Sequence, residues 1–188
     1  MPRPPRIDRA SLLAASLELL DAEGAGGLSM RAVADRLQVK PASLYNHVTG
    51  KEELNQLIAD AVWLRVVDGL TAGTGWRPFL SALARQIRET LRAHPGAAQI
   101  LAVTNVSAAT YEPLIPVVAD AFSTLDIAAE DALFIASSLS VLAIGLALAE
   151  FGDAPNPPVA PREYYDHWFE LAVETFLDGI AARFPQEN

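Results

Sequence analysis

Residues 39–54, VKPASLYNHVTGKEEL, gather Ser43, Tyr45, Asn46 and His47 within five positions, between Lys40 and Lys51, the only two lysines of the 188-residue chain. These side chains suit non-covalent recognition of anions and base edges. Ammonium groups and hydroxyls pair with phosphate oxygens, which fix register and carry no sequence information. A carboxamide such as Asn46 both donates and accepts, which matches a base edge, adenine most favourably. Ser29 and Arg31 lie a short way upstream. Nothing comparable supports catalysis. The chain has no cysteine, so thiolate chemistry and disulfides are excluded. It has no glycine-rich phosphate loop and no nucleophile elbow. His94 and His167 are isolated, and no His/Asp/Glu set has metal-ligand spacing. No catalytic residue, metal or cofactor is therefore expected.

Charge divides in the same place. Net charge is −9, but residues 1–51 carry seven Lys/Arg against five Asp/Glu, and residues 52–188 carry seven against eighteen. The first quarter, at about +2, can approach a polyanion, whereas the rest, at about −11, repels one.

The elements that must position these groups read as helices. Asp8 caps a helix to about Ala22 carrying Leu13, Leu17 and Leu20, stopped by the glycines of EGAGG at 23–27. Ser29 caps a second, to Leu37, with Met30, Val33, Ala34 and Leu37 on one face. After the turn QVK, Pro41 opens a third that ends near Val48. Thr49 and Glu52 form a capping box for a fourth, which carries Leu54, Leu57, Ile58, Ala61 and Val62. Further helices are expected over 76–93, 97–104, 111–125, 130–151 and 162–184, with the proline-rich GDAPNPPVAP as a loop. The fold class is all-α.

Helix, tight turn and short helix make a helix-turn-helix. Leu44 and Val48 lie one turn apart and should pack onto Val33 and Leu37. The opposite side of the third helix then presents Ala42 and Asn46, flanked by Ser43 and Tyr45. His47 lies near the buried side, where phosphate contact and a structural role remain equal readings. Lys51, in the first turn of the fourth helix, adds its charge to unpaired N–H groups and the positive end of the helix dipole. Arg3, Arg6 and Arg9 form a basic arm that reads equally as a DNA contact or a solvated tail.

The stretch AASLELLDAEGAGGLSMRAVADRLQVKPASLYNHVTGKEEL resembles the N-terminal domain of the tetracycline-repressor (TetR) family of bacterial transcription regulators. Gln38 departs from that pattern, which usually has glycine in the turn. More weakly, GWRPFLSALARQIRETLRAHPGAA, EDALFIASSLSVLAIG and ETFLDGI are similar to the ligand-binding half of tetracycline repressors. The resemblance implies two domains: residues 1–51 for DNA, with Ser29, Arg31, Lys40, Pro41, Ala42, Ser43, Tyr45, Asn46, His47 and Lys51 at the interface, and residues 52–188 for ligand binding and dimerisation. It implies a homodimer on double-stranded operator DNA, released by a small-molecule effector, in the cytoplasm. Leu83, Ile87, Leu101, Thr104, Asn105, Leu114 and Val117 fall at matching effector positions, and most are apolar, which implies a largely apolar effector. The two histidines of the metal-tetracycline site align with Leu101 and Val141, so that site does not carry over.

The rival reading is a small-molecule-binding or enzymatic helical protein without DNA function. Residues 132–149 approach the length of a membrane span, but flanking acids and internal serines favour a buried or subunit-facing helix, and no membrane partner is expected. That helix, with Trp168, Leu171, Phe176 and Ile180 of the last helix, is expected at the subunit interface.

Overall fold

The computed structural model describes residues 7–71, 73 and 75–185; Arg3 and Arg6 lie outside the described residues. Helices alone make up its regular structure: α1 (Arg9–Gly27), α2 (Met30–Arg36), α3 (Pro41–Leu44), α4 (Lys51–Asp68), α5 (Trp76–Ala93), α6 (Ala97–Val103), α7 (Ala108–Tyr111), a 3₁₀ turn (Glu112–Leu114), α8 (Ile115–Ala121), α9 (Ala129–Phe151) and α10 (Arg162–Arg183).

Capping sets where the first helices begin. Asp8 accepts the Ser11 N–H at 2.7 Å, and Ser11 Oγ accepts the Asp8 N–H at 3.0 Å. Those bonds hold the Asp8 carboxyl below its ordinary pKa, with the Ser11 N–H as the largest cause. The glycines do not end α1 outright. Gly24 turns to φ 69°, and a last helical turn continues to Gly27. The bend seats Gly24 against the carbonyl of Ala154, where any side chain would collide. Ser29 caps α2 by accepting the Ala32 N–H at 3.1 Å. Gln38 carries the turn after it at φ 56°, a left-handed conformation costing a non-glycine residue about 1–2 kcal/mol.

Three expected boundaries shift. The third helix closes at Leu44, and residues 45–47 form a turn in which Leu44 C=O accepts from both His47 and Val48. The α4 cap is Gly50, one residue later than expected, so the carboxylate that reaches back is Glu53, not Glu52. Glu53 accepts the Thr49 N–H at 2.7 Å, and this bond, with Arg9 nearby, depresses its pKa. The expected helix 111–125 begins at Ala108 and breaks into α7, a 3₁₀ turn and α8, because Pro113 and Pro116 cannot donate to the preceding turns.

Leu12, Leu20, Leu28, Val33, Leu44 and Val48 bury the seam of the first three helices, and one apolar cluster continues from there to Ile180. Helix α5 packs along α9 more extensively than any other pair, with α4, α6 and α10 around them. A buried ion cluster pins this bundle. Arg88 of α5 meets Glu150 of α9 and Asp166 of α10, both at 2.8 Å, and its guanidinium lies 4.8 Å from the Phe169 ring centroid. Burial pushes the Asp166 carboxyl up, but Arg88, Arg162 and Arg92 outweigh it and hold it below its usual value.

Helix α9 is long and apolar enough to cross a membrane by length and composition. It packs against α5, α6, α8 and α10. Phe134 and Val141 remain exposed on it, as do Tyr164, Trp168 and Leu171 on α10. Of the α10 residues expected at the subunit interface, Ile180 is buried in the core of this chain and Phe176 is half-buried against that core, because their side of α10 turns inward.

Candidate functional site

Two places gather groups that the fold itself leaves uncommitted. The first is the surface of α2, α3 and the start of α4. Leu44 and Val48 are buried and hold α3 down, as their spacing predicts. Lys40, Pro41, Ala42, Tyr45, Asn46 and Lys51 are exposed, while Ser43 and His47 are half-buried. Tyr45 is 56 % exposed, too open for a core residue. Pro41 starts α3 at its first turn. Ser29 spends its acceptor on the α2 cap, and Arg31 lies 3.9 Å from Asp35, an exposed pair. Among the described residues, neither Lys40 nor Lys51 has an ion-pair partner. Gly50 gives the first N–H groups of α4 no side-chain acceptor, so a cation and free donors coincide there.

Arg9 departs from the expected mobile arm. It pairs with Glu53 at 2.9 Å and donates to the His47 carbonyl at 3.4 Å, which ties α1 to the entry of α4. The arginine neutralises one of two acids beside Lys51. His94 closes α5 and bridges Asp21 at 3.0 Å and Arg65 at 2.7 Å, linking α1, α4 and α5.

The second place is a cavity of about 220 Å³ among α4, α5, α6, α7, α8 and α9. Six of the seven residues expected at effector positions, Leu83, Leu101, Thr104, Asn105, Leu114 and Val117, line it together. Ile87 does not. It is fully buried in the helical core, one turn along α5 from Leu83, and faces other side chains instead. Trp63 and Val67 of α4, Leu70 just beyond its end, Phe79, Tyr111, and Ser137 and Ser140 of α9 also line it, although none was expected there. Trp63 and Val67 continue the apolar spacing of α4 at i and i+4, a signal that was present beyond Val62. Leu101 and Val141 both border the cavity. Among the described residues, no group of three or more His, Asp or Glu is placed to hold a metal.

Two polar links join this cavity to α4. Gln56 Nε2 donates to the Asn105 carbonyl at 2.7 Å, and Asp60 Oδ1 accepts the Ser107 N–H at 2.7 Å. The segment that carries the cavity residues Thr104 and Asn105 is thus bonded directly to the helix that begins at Lys51.

Residues 12–57 match the family model described as bacterial regulatory proteins, tetR family. An HTH-type transcriptional regulator of Saccharopolyspora erythraea is 38 % identical over 96 residues, 51 % of this chain and 41 % of the relative. The chain thus matches about two-fifths of that relative's length. The class A tetracycline repressor from transposon 1721 of Escherichia coli is 28 % identical over 95 % of this chain and 92 % of its own. Among solved structures, a variant of TetR from Acinetobacter baumannii AYE in complex with minocycline superposes with TM-score 0.78 at 25 % identity, covering 94 % of this chain and 98 % of that one.

Proposed function

We propose that this chain, a member of the TetR family by its N-terminal domain and all-helical fold, is a homodimeric repressor that a small, largely apolar effector releases from a palindromic operator. It acts as a regulator and not as an enzyme, in the cytoplasm. The observation that carries the reading is the coincidence of unpaired Lys40 and Lys51, exposed Asn46 and Tyr45, and free α4 N–H groups on one surface of an otherwise acidic chain.

Residues 1–51 form the DNA-binding domain in this reading, and residues 52–188 bind ligand and dimerise. Ala42 permits close approach of α3 to the major groove, and Asn46 reads a base edge. Ser29, Arg31, Lys40, Ser43, Tyr45, His47 and Lys51 contact phosphate, with Pro41 setting the entry of α3. Phe134 and Val141 on α9 and Trp168 and Leu171 on α10 are exposed apolar residues. They supply a four-helix contact with a second copy. The protein is accordingly expected to sediment as a dimer at micromolar concentration without DNA.

Release runs through α4. A ligand that displaces Thr104 and Asn105 pulls on Gln56 and Asp60, and so tilts the helix whose first turn holds Lys51. The effector shifts the equilibrium only by its preference for the state that does not fit DNA.

Two substitutions test the interface on DNA selected by the wild-type protein. Lys51→Ala is expected to weaken all sequences alike, and Asn46→Ala to flatten preference at one position of each half-site. Base-substitution profiles identical to wild type in the Asn46→Ala protein would remove that residue from readout.

A further inference from the structure

We infer that the cavity takes an uncharged aromatic molecule whose carbonyl or ether oxygen accepts a hydrogen bond from the Trp63 indole N–H. The inference rests on the reading of this cavity as the effector site and specifies its ligand.

Trp63 is 8 % exposed and forms part of the cavity wall. Its Nε1 is buried and has no hydrogen-bond partner. A buried indole N–H ordinarily finds an acceptor, and leaving one unmade costs about 1–3 kcal/mol. The other buried side-chain donor without a hydrogen bond, among the described residues, is Arg88 Nη2, and that nitrogen sits 2.8 Å from Asp166. Trp63 therefore holds, on a residue of the cavity wall, a donor that the protein does not use, and the inference assigns the ligand's acceptor to it.

The remaining walls set the rest of the ligand. Among the described residues, no Asp, Glu, Lys, Arg or His lines the cavity, so an ionised ligand would lose its hydration without a counter-charge. Trp63, Phe79 and Tyr111 supply three aromatic rings against which a planar ligand packs by offset or edge contacts. Ser140 Oγ already donates to the Ala136 carbonyl at 2.8 Å, which leaves only its lone pairs for a ligand. Asn105 and Ser137 are exposed members of the wall, where their side chains can meet polar groups of a ligand. The ligand thus has an aromatic body, a buried acceptor, and hydroxyl or similar groups outward.

Three probes of one shape separate these claims on the full-length protein: β-acetylnaphthalene, its apolar counterpart β-ethylnaphthalene, and the anion β-naphthoate. The acetyl compound is expected to bind about fivefold more tightly than the ethyl one, the size of a single neutral hydrogen bond, and naphthoate at least tenfold more weakly than either. Trp63→Phe, which keeps a ring and loses the N–H, is expected to bring the acetyl compound to within about twofold of the ethyl one and to leave the ethyl affinity unchanged. In wild-type protein the Trp63 indole proton resonance is expected to move downfield with acetylnaphthalene and not with ethylnaphthalene. This holds the test open should Trp63→Phe fold poorly. Equal affinities for the two neutral probes, or an unmoved indole proton, would overturn the Trp63 assignment while the cavity still binds. Tighter binding of naphthoate would overturn the neutral ligand. Failure of all three probes, or affinities unaffected by Leu101→Trp, which fills the cavity, would overturn the effector-site reading itself.

Discussion

The recognition surface and the cavity share helix α4 and leave opposite chemistry uncommitted. At its first turn, Lys51 and the N–H groups after Gly50 face water without partners. Three turns on, Trp63 enters a wall of apolar and neutral polar side chains, and its indole N–H is buried without a hydrogen-bond partner. In the proposed function, one end of the helix meets a polyanion and the other a neutral molecule. The difference teaches how one element would serve two ligands without cross-talk: charge would select at one end and its exclusion at the other. The links from Gln56 and Asp60 to Asn105 and Ser107 lie between the two ends.

Salt breaks that symmetry most strongly. With Arg31, Lys40 and Lys51 on phosphates in each of two protomers, operator affinity is expected to fall on the order of a thousandfold between about 50 and 200 mM salt. Binding of β-acetylnaphthalene should stay within about twofold over the same range, because no charge is involved. A flat operator titration would remove the phosphate clamp from the account.

The interior charges sharpen the contrast. Arg88 and Glu150 are both buried, and both lie outside the cavity wall. Glu150→Ala leaves Arg88 with the half-exposed Asp166 alone, and a loss of about 3 kcal/mol in unfolding free energy is expected from denaturant titration. A loss under about 1 kcal/mol would show that water reaches Arg88. Lys51→Ala is next in size, with about tenfold weaker binding on every DNA sequence, the share of one or two phosphate contacts at moderate salt. The same variant should bind β-acetylnaphthalene unchanged.

Acid gives the smallest effect. Asp8 and Glu53 both have depressed pKa values in the folded state, from the Ser11 and Thr49 N–H groups respectively. Their contribution to stability is full above the ordinary carboxylate range. It is lost as pH falls through that range towards their lowered folded values. Thermal scans should show the loss diminished in Asp8→Asn and Glu53→Gln proteins. Binding of β-acetylnaphthalene should remain flat with pH while the fold persists, since among the described residues no carboxylate, amine or imidazole lines the cavity.

The N-terminal helices were legible because their signals are local. Asp8, Ser29 and Pro41 act within a turn of where they stand, and Leu44 and Val48 declare their face by spacing. Errors there came from competition between near neighbours: Gly50 took the cap expected of Thr49, and Glu53 the role expected of Glu52. The cavity was less legible because its walls come from helices far apart in sequence. Periodicity shows that Ile87 and Leu83 are both buried, but not which of them meets empty space. Trp63 carried no local mark of its role, since an unmade hydrogen bond is visible only once its surroundings are assembled.

Selection from random double-stranded DNA by the purified wild-type protein at low salt tests the central claim most directly. The account predicts enrichment of a palindrome whose half-sites lie about one helical turn apart, one for each α3 of a dimer. Recovery of no enriched sequence, or of one without two-fold symmetry, would contradict it.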